Sequence, residues 1–282
     1  MSENIGIQHP GEMGVSVAAS ARNSGHAVYW ASQGRSPETR RRSEEQKFID
    51  VGTVAELCRA CSILISVCPP HAAEEVAGQV LAQSFKGLYL DANAISPQRA
   101  VRMSKAMETA GIAFVDGGII GGPAWKPGTT WLVLSGRQAQ RISGCFTAGP
   151  LQTEIISEEI GQASALKMCY AAYSKGTTAL LAAVLGAAEN LGVRSDLERQ
   201  WSHDDPDFPA QTAQRVRRVT AKAWRFAGEM DEIAATFAQA GLPDGFHQAA
   251  AEIYARLAGF RGRSDTPDLD EVLETLLEAS TY

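Results

Sequence analysis

Over about the first 155 residues, short continuous apolar runs alternate with longer segments of helical character. The runs at 5–7, 27–30, 63–67, 88–90, 113–115 and 131–134 predict strands. Several have no polar interruption, as expected of strands covered on both faces. The intervening segments 13–24, 53–60, 72–83 and 97–110 predict helices. Regular alternation of this kind predicts right-handed crossovers and a parallel, doubly wound sheet. Past residue 155 the strand signals nearly vanish. Residues 157–191 read as one helix rich in Ala and Leu, stopped by Gly192 and spanning roughly 50 Å. Ser195–Glu198 reads as a capping box, and further helices are expected at 211–240, 245–258 and 268–279. The expected fold class is thus α/β over residues 1–155, followed by an all-α domain over 156–282 that the long inter-domain helix leads.

Composition agrees with two folded domains. The 282 residues are 45% hydrophobic and 21% charged, which excludes a disordered or fibrous chain. A net charge of -6 argues against nucleic acid, whose phosphates call for a basic surface. The longest uncharged apolar stretch, between Lys175 and Glu189, is too short to span a membrane. The first residues lack the basic start of a signal peptide, so the expectation is a soluble cytoplasmic protein. Five cysteines on a chain of this length are no disulfide framework. Cys58 and Cys61 form a C-x-x-C, but Thr53–Glu56 is a capping box that puts both thiols near the end of a short helix. The acidic stretch His203–Asp207 reads as a solvated helix entry, and no metal site is expected.

Chemistry is concentrated in a few segments. Residues 5–14, Ile-Gly-Ile-Gln-His-Pro-Gly-Glu-Met-Gly, place a glycine turn between the first strand and the first helix. Backbone N–H groups of such a turn, together with the helix N-terminus, suit a pyrophosphate. His9, Pro10, Gly11, Glu12 and Met13 are therefore candidate cofactor-binding residues. After the second strand no Asp or Glu is present to meet a ribose 2′-OH. Ser32, Arg35 and Ser36 stand there instead, with Arg40 behind them, and a guanidinium with hydroxyls suits a 2′-phosphate. NADP is the expected cofactor, with NADPH preferred over NADH. Arg41 and Arg42 read as a solvated helix face.

The turn and two later motifs resemble the β-hydroxyacid dehydrogenase superfamily, which includes 6-phosphogluconate dehydrogenase-like proteins and imine reductases. Gly11 and Gly14 match the second and third glycines of that family's turn, and His9 stands where the first belongs. Residues 115–123, Val-Asp-Gly-Gly-Ile-Ile-Gly-Gly-Pro, resemble its substrate loop. There the N–H groups of Gly121 and Gly122 are expected to hold a substrate carboxylate or hydroxyl, with Ile120 in place of the family's serine. Residues 161–175 resemble its G-x-x-x-x-x-K-x-x-N-N motif, which makes Lys167 the expected acid/base. Tyr170 and Ser174 fall on the same helical face at offsets of three and seven. Ala171 occupies the place of the motif's asparagine. Cys68 and Pro69 are expected beside the nicotinamide, and Asn93 or Ser96 near substrate or cofactor.

The resemblance implies a Rossmann domain, a helical domain and an active site in the cleft between them. It also implies hydride transfer between a nicotinamide and the hydroxyl or carbonyl carbon of a small hydroxyacid-like substrate. An imine reductase of the same fold is the alternative enzyme. A non-catalytic NADP-binding sensor or scaffold is the alternative outside enzymes. The long helix is further expected to make a homodimer, because its apolar surface exceeds what one small helical domain can cover.

Overall fold

The computed structural model describes residues 2–278. Its strands are β1 (Asn4–Ile7), β2 (Ala27–Trp30), β3 (Ile49–Asp50), β4 (Ile63–Ser66), β5 (Leu88–Asp91), β6 (Ala113–Gly121), β7 (Thr130–Ser135) and β8 (Gln152–Ser157). They form one sheet in the order β3-β2-β1-β4-β5-β6-β7-β8. Between them lie the helices α1 (Glu12–Asn23), α2 (Pro37–Glu45), α3 (Val54–Ala60), α4 (Ala73–Leu81), α5 (Pro97–Thr109) and α6 (Ala139–Ser143). Six more follow: α7 (Gln162–Asn190), α8 (Arg194–Asp204), α9 (Phe208–Val219), α10 (Ala223–Gln239), α11 (Gly245–Arg256) and α12 (Leu269–Leu277). The doubly wound α/β sheet and the helical C-terminal region are those expected.

The strand alternation sorts side chains between two cores. Ile5, Ile7, Ile63, Ile65, Leu88 and Leu90 pack with Val17, Ala18 and Ala21 of α1 on one face. Leu64, Tyr89 and Phe114 pack with Leu57, Val80 and Met107 of α3, α4 and α5 on the other. Both faces are covered, which is why these strands read as unbroken apolar runs.

The differences from expectation lie at the edges. The sheet is parallel except where β6 pairs antiparallel with β7. Only residues 122–129 join those two strands, too few for the crossover that a parallel pair needs. The two-residue β3 and the edge strand β8 carry no continuous apolar run, so the pattern did not reveal them. Because β8 continues to Ser157, the long helix begins at Gln162, after Gly161 turns the chain at φ 99°. α8 starts at Arg194 after Val193, so Ser195 lies inside it and caps nothing at its start. The expected helix at 211–240 is two, broken by a 3-10 turn at Thr220–Lys222. Asp268 caps α12 by accepting from Glu271 N at 2.9 Å, while the expected end of that helix at Ala279 lies outside the described residues.

The chain divides into two compact units, residues up to 168 and residues from 169 onward, so α7 belongs to both. In the second unit Met230, Ile233, Tyr254, Leu257, Val272 and Leu273 are buried. Lys175 lies within it, 2.9 Å from Glu229 and over the Phe226 ring, and its carbonyl accepts from the Tyr254 hydroxyl. In the first unit one buried carboxylate organises the entry into α7. Asp116, in β6 and wholly shielded from solvent, accepts from Gly161 N at 3.0 Å, Ser164 N at 3.0 Å, Ser164 Oγ at 2.6 Å and Ser135 Oγ at 3.1 Å. Ser135 Oγ in turn accepts from Ala163 N at 3.1 Å. The helix's first N–H groups, which have no intrahelical partner, are thus met by side chains of the sheet.

Replacing Asp116 with Ala strands two buried N–H groups. At ~1–3 kcal/mol for each unmet donor, Asp116→Ala should lower unfolding free energy by about 2–6 kcal/mol in a urea titration. A loss below about 0.5 kcal/mol, the scale of ordinary surface changes, would show that the cap does not hold the helix.

Candidate functional site

β2, β1, β4, β5 and β6 run parallel, so their C-terminal ends share one edge of the sheet. The strand order reverses between β1 and β4, and such a switch point opens a crevice at that edge. It collects His9 after β1, Ser32 and Arg35 after β2, Cys68 after β4 and Asn93 after β5, residues distant in the chain.

The glycine turn is tight. Gly11 N donates to His9 O at 2.8 Å, and Gly11 precedes α1 with no side chain capping that helix. A Cβ on Gly14 would lie 2.2 Å from His9 O, so only glycine lets α1 start this close to β1. Around Gly11 there is open space, with nothing within 4 Å of a Cβ direction. His9 is half-buried, and its Nδ1 is shielded without a hydrogen-bond partner. Burial first, and the Arg35 charge second, push its imidazole down to about 4. It is neutral at pH 7.

Arg35 is likewise half-buried, with a shielded and unpartnered Nε, and among the described residues no carboxylate pairs with it. Burial pushes its guanidinium down, yet an arginine stays cationic there. Arg40 holds the same loop by donating to Ser32 O at 2.6 Å, and Arg35 N donates to that carbonyl at 3.1 Å. Ser32 is buried. Ser36 is exposed and caps α2, its Oγ accepting from Thr39 N at 3.2 Å. An open glycine cradle, an uncapped helix start and an unpaired guanidinium together fit a phosphate-bearing ligand.

The ends of β4 and β5 are tied by Asn93. Its Oδ1 accepts from Cys68 N at 2.6 Å, and its Nδ2 donates to Ser66 Oγ at 3.0 Å and Asp91 Oδ2 at 2.8 Å. Asn93 is buried and so fixes the Cys68–Pro69 backbone. Burial pushes the Cys68 thiol up to about 12, leaving it no thiolate at neutral pH. Asp91, fully buried, is pushed up to about 7 by burial, with the neighbouring Asp116 adding to this and the Asn93 donors opposing it. Neither Asp91 nor the Asp116 cap stood out as a site residue in the sequence. The available signal was a carboxylate at or inside an apolar strand, which is tolerated only where donors await it.

At β6 the sheet meets α7. A Cβ on Gly118 would lie 2.8 Å from Lys167 Cβ and 2.9 Å from Ala163 O, so this glycine lets the helix lie against the strand. Gly118 is two residues past Asp116, which pairs with Asp91. Lys167 therefore stands at the same edge as the glycine turn, and it is half-buried there. Tyr170 and Ser174 follow one and two turns along α7, Tyr170 half exposed. Ser174 O accepts from Arg215 Nη2 at 2.9 Å. Lys175, the other lysine of this helix, is engaged with Glu229.

Beyond Gly118, Ile120 is partly exposed and Gly121 ends β6 at φ 115°, where a Cβ would lie 2.2 Å from Thr129 O. The loop that follows is anchored twice. Thr130 Oγ1 donates to Gly122 O at 2.8 Å, and Ala124 N donates to Ser16 Oγ of α1 at 2.9 Å.

Residues 4–143 match the family of the NAD binding domain of 6-phosphogluconate dehydrogenase, and residues 188–257 match a domain of unknown function. An uncharacterised 28.5 kDa protein of Methanothermus fervidus is 29% identical over 165 residues, 58% of this chain. The match spans 63% of that relative's length. A solved protein of unknown function, described as structurally similar to 3-hydroxyacid dehydrogenases, is 27% identical with a TM-score of 0.66. That likeness covers 91% of this chain and 97% of the other. The 3-hydroxyisobutyrate dehydrogenase of Mycobacterium tuberculosis, solved with L-serine, shares the fold at a TM-score of 0.70 and 17% identity. The likeness covers 98% of this chain and 100% of that one.

Proposed function

Since the chain belongs to the β-hydroxyacid dehydrogenase superfamily, with a nicotinamide-dinucleotide domain over residues 4–143, we propose that it is an NADP-dependent oxidoreductase. The observation that carries this reading is Arg35: a half-buried guanidinium with no carboxylate partner among the described residues, after a strand that no acidic residue follows directly. The turn from His9 to Met13 and the start of α1 would hold the pyrophosphate. Arg35 and Ser32 would meet the 2′-phosphate, and Ser36 would offer it only an exposed cap position. Cys68, Pro69 and Asn93 would border the nicotinamide, which when bound supplies or accepts the hydride.

The substrate would be a small hydroxyacid-like molecule, met by the backbone at Gly121 and Gly122. Ile120 gives that wall an apolar side chain. Lys167 would protonate the carbonyl oxygen on reduction and take the proton back on oxidation. Tyr170 and Ser174, on the same side of α7, would line its approach. A carbon–nitrogen double bond is the second reading, favoured by the apolar Ile120 and by Tyr170 as a competing acid. The protein would be a homodimer through its helical half, since Leu166, Tyr170, Tyr173 and Leu180 form an exposed stripe on α7. No helix among the described residues is long and apolar enough to cross a membrane.

Titration of both cofactors tests the cofactor assignment. Arg35→Ala should weaken NADPH binding by roughly 1–3 kcal/mol, the scale of a charge-assisted contact, and leave NADH nearly unchanged. Equal losses would remove the 2′-phosphate from Arg35.

Lys167→Met keeps the bulk of the stem and deletes the proton donor. Turnover on the best carbonyl substrate should fall by about 10²–10⁴-fold while cofactor affinity holds. Full activity of Lys167→Met beside a dead Tyr170→Phe would transfer the role to the tyrosine and favour the imine reading.

Light scattering at micromolar concentration should report twice the chain mass. A monomer there would refute the dimer.

A further inference from the structure

His9 occupies the place of a glycine, in a turn where any side chain must lie beside the anion-binding backbone. Its Nδ1 is shielded and has no partner, and Arg35 is close enough for its charge to act on the ring. Arg35 itself has a shielded, unpartnered Nε and no counter-ion among the described residues. The groups that face this pair are few. The Cys68 thiol at the end of β4 acts on Arg35, and Glu12, the first residue of α1, is exposed. Cys68 is uncharged at neutral pH, so it supplies no compensating anion. Arg40 lies on the same loop, and Asp91 and Arg99 act on Cys68, but among the described residues Arg35 is the charge that acts on the His9 imidazole, which is neutral and keeps a shielded, unpartnered Nδ1. A phosphate dianion arriving beside Arg35 brings two negative charges against one positive charge. The remaining charge is best met by the adjacent imidazole, whose proton is repelled by Arg35 alone but held by Arg35 and dianion together.

We propose that His9 is a proton-linked specificity residue, taking up a proton as the cofactor's 2′-phosphate settles beside Arg35. This rests on the NADP reading above. Affinity for the 2′-phosphorylated cofactor would then rise as pH falls toward the range of histidine, while the cofactor without that phosphate would gain nothing. Glycine at this position would allow the same fold of the turn without the linkage.

Calorimetric titration of the full chain with NADPH and with NADH, each in two buffers of different ionisation heat near pH 7, reads the proton directly. NADPH should bind with net uptake of a proton fraction and NADH with none. Between about pH 8.5 and pH 7 the NADPH dissociation constant should fall several-fold, a single proton setting a ceiling of about tenfold per pH unit. His9→Gln, which keeps a polar side chain that does not titrate, should abolish both the uptake and the slope. His9→Gly should behave alike. Tight NADPH binding without uptake, or uptake unchanged in both variants, overturns the role of His9 and leaves the NADP reading intact. NADPH binding no tighter than NADH at every pH overturns both.

Discussion

A carboxylate buried inside a sheet is costly unless donors surround it, and in this protein the donors come from the start of a helix. Asp116 accepts from Gly161, Ser164 and Ser135, and Ser135 accepts from Ala163. Burial still pushes its carboxyl upward, so the network is held under tension between desolvation and hydrogen bonding. The result is geometric. Strand β6 and helix α7 cannot slide past one another without stripping these bonds, and Gly118 lets them approach closely enough to form them. Lys167 inherits its place from that contact, one turn beyond Ser164.

The second organising feature is the polar cross-link at the ends of β4 and β5. Asn93 reads both strands at once, through Cys68 N on one and Asp91 on the other. Asp91 and Asp116 stand opposite each other on neighbouring strands. Burial raises both, Asp116 adds to the rise of Asp91, and side-chain amides, hydroxyls and a helix start meet their oxygens. The strand ends are thus tied by a buried polar network, and His9 and Arg35 stand at the rim of the crevice above it.

Those rim residues give this chain its own character within the superfamily. Histidine at the first fingerprint position adds a titratable group to a turn that otherwise offers only backbone. Ile120, near the end of β6, and Ala171 stand where the resemblance places a serine and an asparagine.

Much of the fold was legible along the chain. The runs Ile63–Ser66 and Leu88–Asp91 are apolar throughout because helices cover both of their faces, and burial on two sides leaves that mark in any sequence. The glycine turn and the lack of an acid after β2 were legible for a similar reason: each depends on residue type at short range. β3 and β8 were not, since edge strands are half-exposed and carry no such run, and the antiparallel β6–β7 pair followed from a short connection rather than from strand composition. Only the tertiary structure decided that Arg35 has no counter-ion among the described residues, that Ser36 is engaged as a cap, and that Asp116 captures the first turn of α7. These are contacts between residues up to dozens of positions apart, and spacing along a chain carries no record of which donor will meet which acceptor once the sheet has assembled.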